Sequence, residues 1–267
     1  MSRRIRCAFF LVGLLIGVAP QAFTQDTVQS LRVLTYNIHH GEGTDGKLDL
    51  ERIAKVILSV KPDIVALQEV DQRATRTGGI DQVARLAELT SLHPAFGKAM
   101  DLQGGGYGVA LLSRWPLQET VTHALPLAPG VEPRAVLSAT VQAGENGPKF
   151  QFLVTHVDHR ANPAQRTIQV GKIRELFPPN PDAIPALLAG DFNATPESAV
   201  IMGLLDDWSD TASGQSFFTS PSNPPTRKID YIFVRPAARW RTVETRALEE
   251  AVASDHRPVL AVLELKP

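Results

Sequence analysis

Short apolar runs that stop at an acid, an amide or a histidine recur along this chain, and they constrain its fold more than any other feature. Residues 31–38 carry Asn37 just before their end, residues 64–67 run into Gln68-Glu69, residues 150–154 into Thr155-His156, and residues 184–189 into Gly190-Asp191-Phe192-Asn193. Runs this short and this apolar are the pattern of buried strands. Helical patterns lie between them. Asp49 is placed to cap a helix in which Leu50, Ile53, Ala54, Ile57 and Val60 recur at helical spacing until Lys61-Pro62 stops it. Residues 82–89 and 164–177 predict two more helices, and Thr195-Pro196 predicts an N-cap followed by proline at the first helical position. Further strands are expected at 109–112, 135–141, 229–234 and 259–265. Residues 143–148 read as hairpin turn material, and residues 213–226, rich in Ser, Thr, Asn and Pro, as an exposed loop. Strands interspersed with helices specify an α/β layered domain. Polar groups at strand ends are where such a fold gathers its chemistry.

The first stretch reads as a targeting segment. Arg3, Arg4 and Arg6 precede an uncharged apolar run of 12 residues, 8–19, the length of a signal-peptide core and too short for a membrane span of about 20 apolar residues. Cleavage between Ala19 and Gln25 leaves a leader over residues 1–24 and one domain over 25–267, exported to the periplasm or secreted; an uncleaved signal anchor is the alternative. Cys7, the one cysteine, precedes the apolar run, so the processed chain has neither disulfides nor thiolate metal sites.

The formal net charge of −1 includes Arg3, Arg4 and Arg6, and no acid precedes Asp26, so removing those three cations takes it to −4. The remaining basic residues are dispersed. A protein that grips nucleic acid non-specifically shows a basic stripe, because affinity comes from phosphate contacts. Its lack here weighs against a polynucleotide substrate without excluding nucleic acid as a partner.

Taken in order, Thr35-Tyr36-Asn37-Ile38-His39, Leu67-Gln68-Glu69-Val70, Thr155-His156, Gly190-Asp191-Phe192-Asn193, Ile229-Asp230-Tyr231 and Ser254-Asp255-His256 resemble the endonuclease/exonuclease/phosphatase superfamily. The resemblance covers residues 31–265. It implies a four-layer α/β sandwich, two packed mixed β-sheets flanked by helices, and hydrolysis of phosphate esters assisted by Mg²⁺ or Mn²⁺. Such chemistry needs a hard cation, an oriented water and donors to the phosphoryl oxygens, and carboxylates and amides are the side chains that bind such cations.

The resemblance assigns Glu69, Asn37 and Asp255 to the metal, Asn37 also as an orienting group for the catalytic carboxylate. Asp191 accepts a proton from the attacking water. Asn193, two residues on and on the same side of an extended chain, donates to that water or to the phosphoryl oxygens. His156 and His256 bracket the phosphate as imidazolium donors, with Asp230 behind His256. Each has a plainer reading: a strand-end surface acid for Glu69, a turn for Asp191 and Asn193, and structural histidines. Asp255 and His256 are adjacent and must lie on a bent loop to serve one cavity. Where abasic-site endonucleases carry an acid two residues after the Asn37 equivalent, this chain has His39, then His40; His39 either reaches metal or phosphate or hydrogen-bonds the 41–46 loop. Tyr107, Arg134 and Arg160 are further substrate-binding candidates. The combination Asn37-Ile38-His39-His40-Gly41 resembles a secreted bacterial branch similar to proteins of glycosylphosphatidylinositol-lipid remodelling, pointing to a phospholipid or phospho-sugar head group. A monomeric phosphodiesterase is expected. The alternatives are a secreted nuclease, a phosphomonoesterase, or a non-catalytic binder of phosphorylated ligands.

Overall fold

Alternation along the first strand sets the architecture. On β1 (Gln29–Asn37), Leu31 and Val33 face one way, Leu34 and Tyr36 the other, and all four are fully buried. A strand buried on both faces needs a layer on each side. The computed structural model describes residues 29–180 and 182–266; the expected leader, with Cys7, lies outside the described residues. From β1 the chain continues through α1 (Leu50–Ser59), β2 (Ile64–Gln72), α2 (Gln82–Thr90), β3 (His93–Leu102), β4 (Gly105–Ser113), β5 (Leu117–Ala124), β6 (Ala135–Gln142) and β7 (Lys149–His156). Then come α3 (Ala164–Leu176), β8 (Ala186–Asp191), α4 (Ala199–Leu204), β9 (Ser209–Asp210), β10 (Asp230–Arg235), β11 (Trp240–Ala247) and β12 (Val259–Leu265).

The strands form two six-stranded sheets, ordered β11-β12-β1-β2-β4-β3 and β5-β6-β7-β8-β10-β9. In the first sheet β1 and β2 are parallel, joined over α1; in the second β7 and β8 are parallel, joined over α3; the other neighbours are antiparallel. Leu31, Val33, Ile64 and Ala66 of the first sheet pack on Phe150, Phe152, Leu187 and Ile232 of the second. On the outer face of the first sheet, Leu34, Tyr36 and Leu67 pack on Ile53 and Ile57 of α1 and Leu86 of α2. On the outer face of the second, Leu153 and Leu188 pack on Ile173 of α3 and Ile201 of α4. This is the expected four-layer α/β sandwich.

Strand parity now positions the chemistry. Asn37 has the parity of Leu31 and Val33, His156 that of Phe150, Phe152 and Val154, Asp191 that of Leu187 and Ala189, and Asp230 that of Ile232 and Val234. The faces that form the apolar core between the sheets turn polar at one end. Gly190 is required there: with φ 153° it pairs with Thr155, and a Cβ on it would stand 2.0 Å from the Thr155 carbonyl oxygen.

Four expectations are corrected. The 64–67 strand continues through Gln72, because Gln68 and Glu69 form a bulge opposite Val109: Leu67 pairs with Ala110 and Val70 with Gly108. The cap of α4 is Ser198, whose Oγ accepts from Ile201 N, while Thr195-Pro196 forms a preceding turn in which Thr195 O accepts from Ser198 N. The 213–226 segment is not simply exposed, since Thr219, Ser220 and Ser222 are buried. Finally, β3, β5, β9 and β11 had no predicted strand; all four are sheet edges.

Candidate active site

Asn37 is the hub. Its Nδ2 donates to Glu69 Oε1 (2.9 Å) and to Asp191 Oδ2 (3.2 Å), and its Oδ1 accepts from His39 N (3.0 Å). One amide thus ties the β2 bulge of the first sheet to the end of β8 in the second. Its two N–H hydrogens go to carboxylates, so Asn37 orients them, while its Oδ1 is held by the His39 N–H. Among the described residues no cationic side chain forms an ion pair with Glu69. Its free carboxylate oxygen is suited to a hard cation.

Asp191 is fully buried within a shell of donors: Asn193 N at 2.8 Å, Asn37 Nδ2, His156 Nε2 at 3.5 Å and His256 Nε2 at 3.7 Å. Burial and the neighbouring Asp230 push its carboxyl up to about 7, against the pull of His256, the Asn193 N–H and Asn37. Asn193 does not sit on an extended chain as expected. Its φ is 47°, and it folds back on Asp191 in a turn that still brings its Nδ2 within 3.1 Å of His156 Nε2 and 3.2 Å of the Val157 carbonyl.

Asp230 Oδ2 accepts from His256 Nδ1 at 2.9 Å, directing Nε2 toward Asp191. Burial opposes charge on this ring, but Asp230 and Asp191 outweigh it and carry His256 up to about 10. His256 is therefore the imidazolium expected. His156 is not, and this corrects the symmetric expectation for the two rings. Arg134 NH1 lies 2.7 Å from His156 Nδ1; a guanidinium only donates, so Nδ1 accepts and the single ring proton sits on Nε2, which has the Asn193 side-chain amide at 3.1 Å and Asp191 Oδ2 at 3.5 Å. Burial first, then Arg134, His256 and His159, hold this ring well below its ordinary 6.5.

Arg134 is buried and committed to His156, to His159 Nδ1 (3.3 Å) and to the Tyr107 hydroxyl (3.5 Å), with Glu132 at 3.1 Å. Arg134 and Tyr107 thus join the site as a brace for His156. Arg160 turns away to Asp158 (3.0 and 3.2 Å), and among the described residues it makes no hydrogen bond or ion pair with Asp191. Asp255 lies on the expected bent loop, half-buried beside buried His256, and its Oδ1 takes a 3.4 Å contact from Ser254 Oγ. Ser254 Oγ also donates to the Asn37 carbonyl (2.7 Å) and accepts from His256 N (3.2 Å), fastening this loop to β1.

Two ligand-like groups of three emerge: Asp191, Asp230 and His256, and His39, His40 and Glu69, each with its ligand atoms within 4.8 Å of one another. The first already holds its own cation, the His256 imidazolium; the second holds none. Sequence reasoning chose His39 over His40, yet both approach Glu69. It also passed over Arg76, whose Nε and NH2 grip buried Asp71 at 2.7 Å each while its guanidinium lies 5.5 Å from the Tyr107 ring centre. The Glu69-x-Asp71 spacing was a readable signal, but the bulge that reorients Glu69 was not.

Residues 34–256 match the sequence model of the Endonuclease/Exonuclease/phosphatase family. The uncharacterized protein YbhP of Escherichia coli K12 is 27% identical over 248 residues, covering 88% of this chain and 97% of that one. An endonuclease/exonuclease/phosphatase of Beutenbergia cavernae superposes with a TM-score of 0.75 at 28% identity, over 89% of this chain and 72% of that one. A mannosyl-6-phosphatase of Bacteroides thetaiotaomicron shares the fold at TM-score 0.68 and 21% identity, over 87% and 99%.

Proposed function

This chain belongs to the endonuclease/exonuclease/phosphatase family, whose members hydrolyse phosphate esters with a divalent metal, and from that premise we propose that it is an exported phosphodiesterase acting on a phospholipid or phospho-sugar head group, with Mg²⁺ or Mn²⁺ at Glu69. The observation that carries the reading is Asn37 bridging Glu69 and Asp191. It supports Glu69 as a cation-binding carboxylate and Asp191 as a proton-accepting one, since both hang on one amide. An intact set of this kind supports a hydrolase over a non-catalytic binder.

The metal, held at Glu69, would supply charge neutralisation at the phosphoryl oxygens. The rest is done by the chain. Asp191, poised near neutrality by burial, takes one proton from the attacking water as its oxygen bonds to phosphorus. His256, charged and fixed by Asp230, donates to the phosphoryl group as negative charge builds, and the leaving oxygen departs with its bonding pair. Neutral His156 stands beside Asp191 and the Asn193 amide and helps hold both in place. The dispersed cations and negative charge support a small head group over a polynucleotide. The leader expected from Arg3, Arg4, Arg6 and the apolar run supports export; among the described residues no helix is long and apolar enough to cross a membrane.

The test is a hydrolysis screen with added Mg²⁺ or Mn²⁺ against phosphoinositides, sphingomyelin, sugar phosphates and plasmid DNA. Head-group release that chelation abolishes is expected. Faster cleavage of DNA, or release of inorganic phosphate from monoesters alone, would overturn the substrate class.

A further inference from the structure

His39, His40 and Glu69 share an unusual backbone state. Their φ values are 44°, 44° and 56°, in the left-handed region that non-glycine residues rarely occupy. Strain of this kind persists only where the surroundings enforce it, and here they do. The Gly41 N–H donates to Ile38 O (2.8 Å), Glu42 N to His39 O (2.8 Å), Asp49 N to Gly41 O (2.9 Å), and Gln82 Nε2 to His40 O (2.6 Å). On the other side, the bulge in β2 fixes Glu69.

What the strain achieves shows in the ring nitrogens. His39 Nδ1 lies 3.1 Å from the Glu42 carbonyl, which only accepts, so the proton sits on Nδ1 and Nε2 keeps its lone pair. His40 Nε2 lies 3.5 Å from the Glu42 carboxylate, which directs the proton there; His40 Nδ1 is buried with no hydrogen-bond partner. Glu42 therefore orients both rings, one through its backbone and one through its side chain. A metal-ligating histidine characteristically gives its other N–H to a carbonyl or carboxylate in this way. Glu69 commits Oε1 to Asn37 and has Oε2 free, and each of the three residues brings one ligand atom within 4.8 Å of the other two.

We propose that His39, His40 and Glu69 form a two-nitrogen, one-oxygen site, so that the ion beside Asn37 is a first-row transition ion such as Mn²⁺ or Zn²⁺ in preference to Mg²⁺. Imidazole suits transition ions, whereas Mg²⁺ takes oxygen. The inference deepens the reading of Glu69 as the metal carboxylate and rests on it.

The experiment uses the full chain stripped with chelator and reloaded with Mn²⁺. Pulsed electron paramagnetic resonance should show nitrogen couplings from two imidazoles, and their absence overturns the proposal with no variant needed. His39→Asn and His40→Asn keep a residue type that tolerates positive φ. Each should weaken Mn²⁺ binding by about 10–100-fold in calorimetric titration, the range seen when a metal site loses a supporting partner, while Mg²⁺ binding moves less than about twofold. Equal losses for both ions, or none, overturn it. Hydrolysis is scored separately. Nitrogen couplings in a protein that cleaves no phosphate ester sink the phosphoesterase reading and leave this site standing; cleavage without couplings does the reverse.

Discussion

The two sheets each contribute one parallel pair with a helix between its strands, and at the same end of the sandwich the two pairs present opposite chemistry. The first sheet, through β1 and the β2 bulge, offers Glu69 and two histidines with uncommitted lone pairs. The second, through β7, β8 and β10, offers His156, Asp191 and Asp230, which meet His256 from the β11–β12 loop of the first sheet, and the charges of this cluster are already matched by protons held among its members. Both are clusters of acids and histidines, so residue type alone does not tell them apart. What separates them is where the protons sit. One half is built to receive a cation and the other to move a proton, and Asn37 couples them.

The harshest test of that division removes the carboxylate on one side at a time. Asp191→Asn should lower turnover by about a hundredfold or more, the loss expected for a positioned proton acceptor, while leaving the ion in place. Glu69→Ala should abolish ion binding with the fold retained. Turnover assays and metal titrations on both variants decide it. Ion loss in Asp191→Asn would erase the distinction between the halves.

A finer test lies within the C-terminal loop. Asp230→Asn keeps the shape behind His256 but removes the charge that holds the ring protonated, so turnover should fall by about tenfold to a hundredfold with the metal concentration dependence unchanged. Asp255→Asn should shift that dependence upward. An exchange of these two phenotypes would move Asp230 to the metal and leave His256 without its partner.

His156 gives the division a signature in stability. The folded state holds this ring neutral by burial and by Arg134, so its proton affinity lies below the ordinary 6.5. Between that depressed value and 6.5 the unfolded chain binds a proton that the folded chain does not. Its contribution is therefore fully present above 6.5 and is lost as pH falls through that window, with a slope of up to about 1.4 kcal/mol per pH unit. Denaturant titrations across the acid range should show His156→Gln with a flatter slope by up to that amount. Parallel curves would mean that His156 is charged like His256.

How much of this was legible depended on burial. Every strand buried on both faces, from β1 to β12, announced itself as an apolar run, whereas the four unpredicted strands are the four edges. β5 reads Leu-Gln-Glu-Thr-Val-Thr-His-Ala, largely exposed, and β3 begins His-Pro and contains Gly97; edges tolerate such residues because one side needs no partner. The site followed the same rule. Asn37, His156, Asp191 and Asp230 were readable because they stand at the ends of apolar runs in segments that resemble a known family, and the fold shows them continuing the parity of core residues. The Glu69 bulge, the positive φ of His39 and His40, and the neutrality of His156 were not, because each is set by a distant contact: Val109 opposite the bulge, Gln82 on the His40 carbonyl, and Arg134 on the ring.

The 213–226 segment shows the same limit in miniature and supplies the smallest test. Its polar composition predicted exposure, yet Thr219 is fully buried, and its Oγ1 accepts from Ile229 N (3.1 Å) and Asp230 N (3.4 Å). A hydroxyl on a polar loop thus fixes the backbone from which Asp230 reaches His256. Thr219→Val keeps the shape and removes the acceptor, so it should cost about 1–3 kcal/mol of stability, the penalty for leaving buried N–H donors without their partner. Because Asp230 belongs to the proton-handling half, turnover should fall modestly while ion affinity stays fixed, and Thr219→Ser should restore both stability and turnover. A shift in ion affinity instead would show that the two halves are coupled through β10 as well as through Asn37.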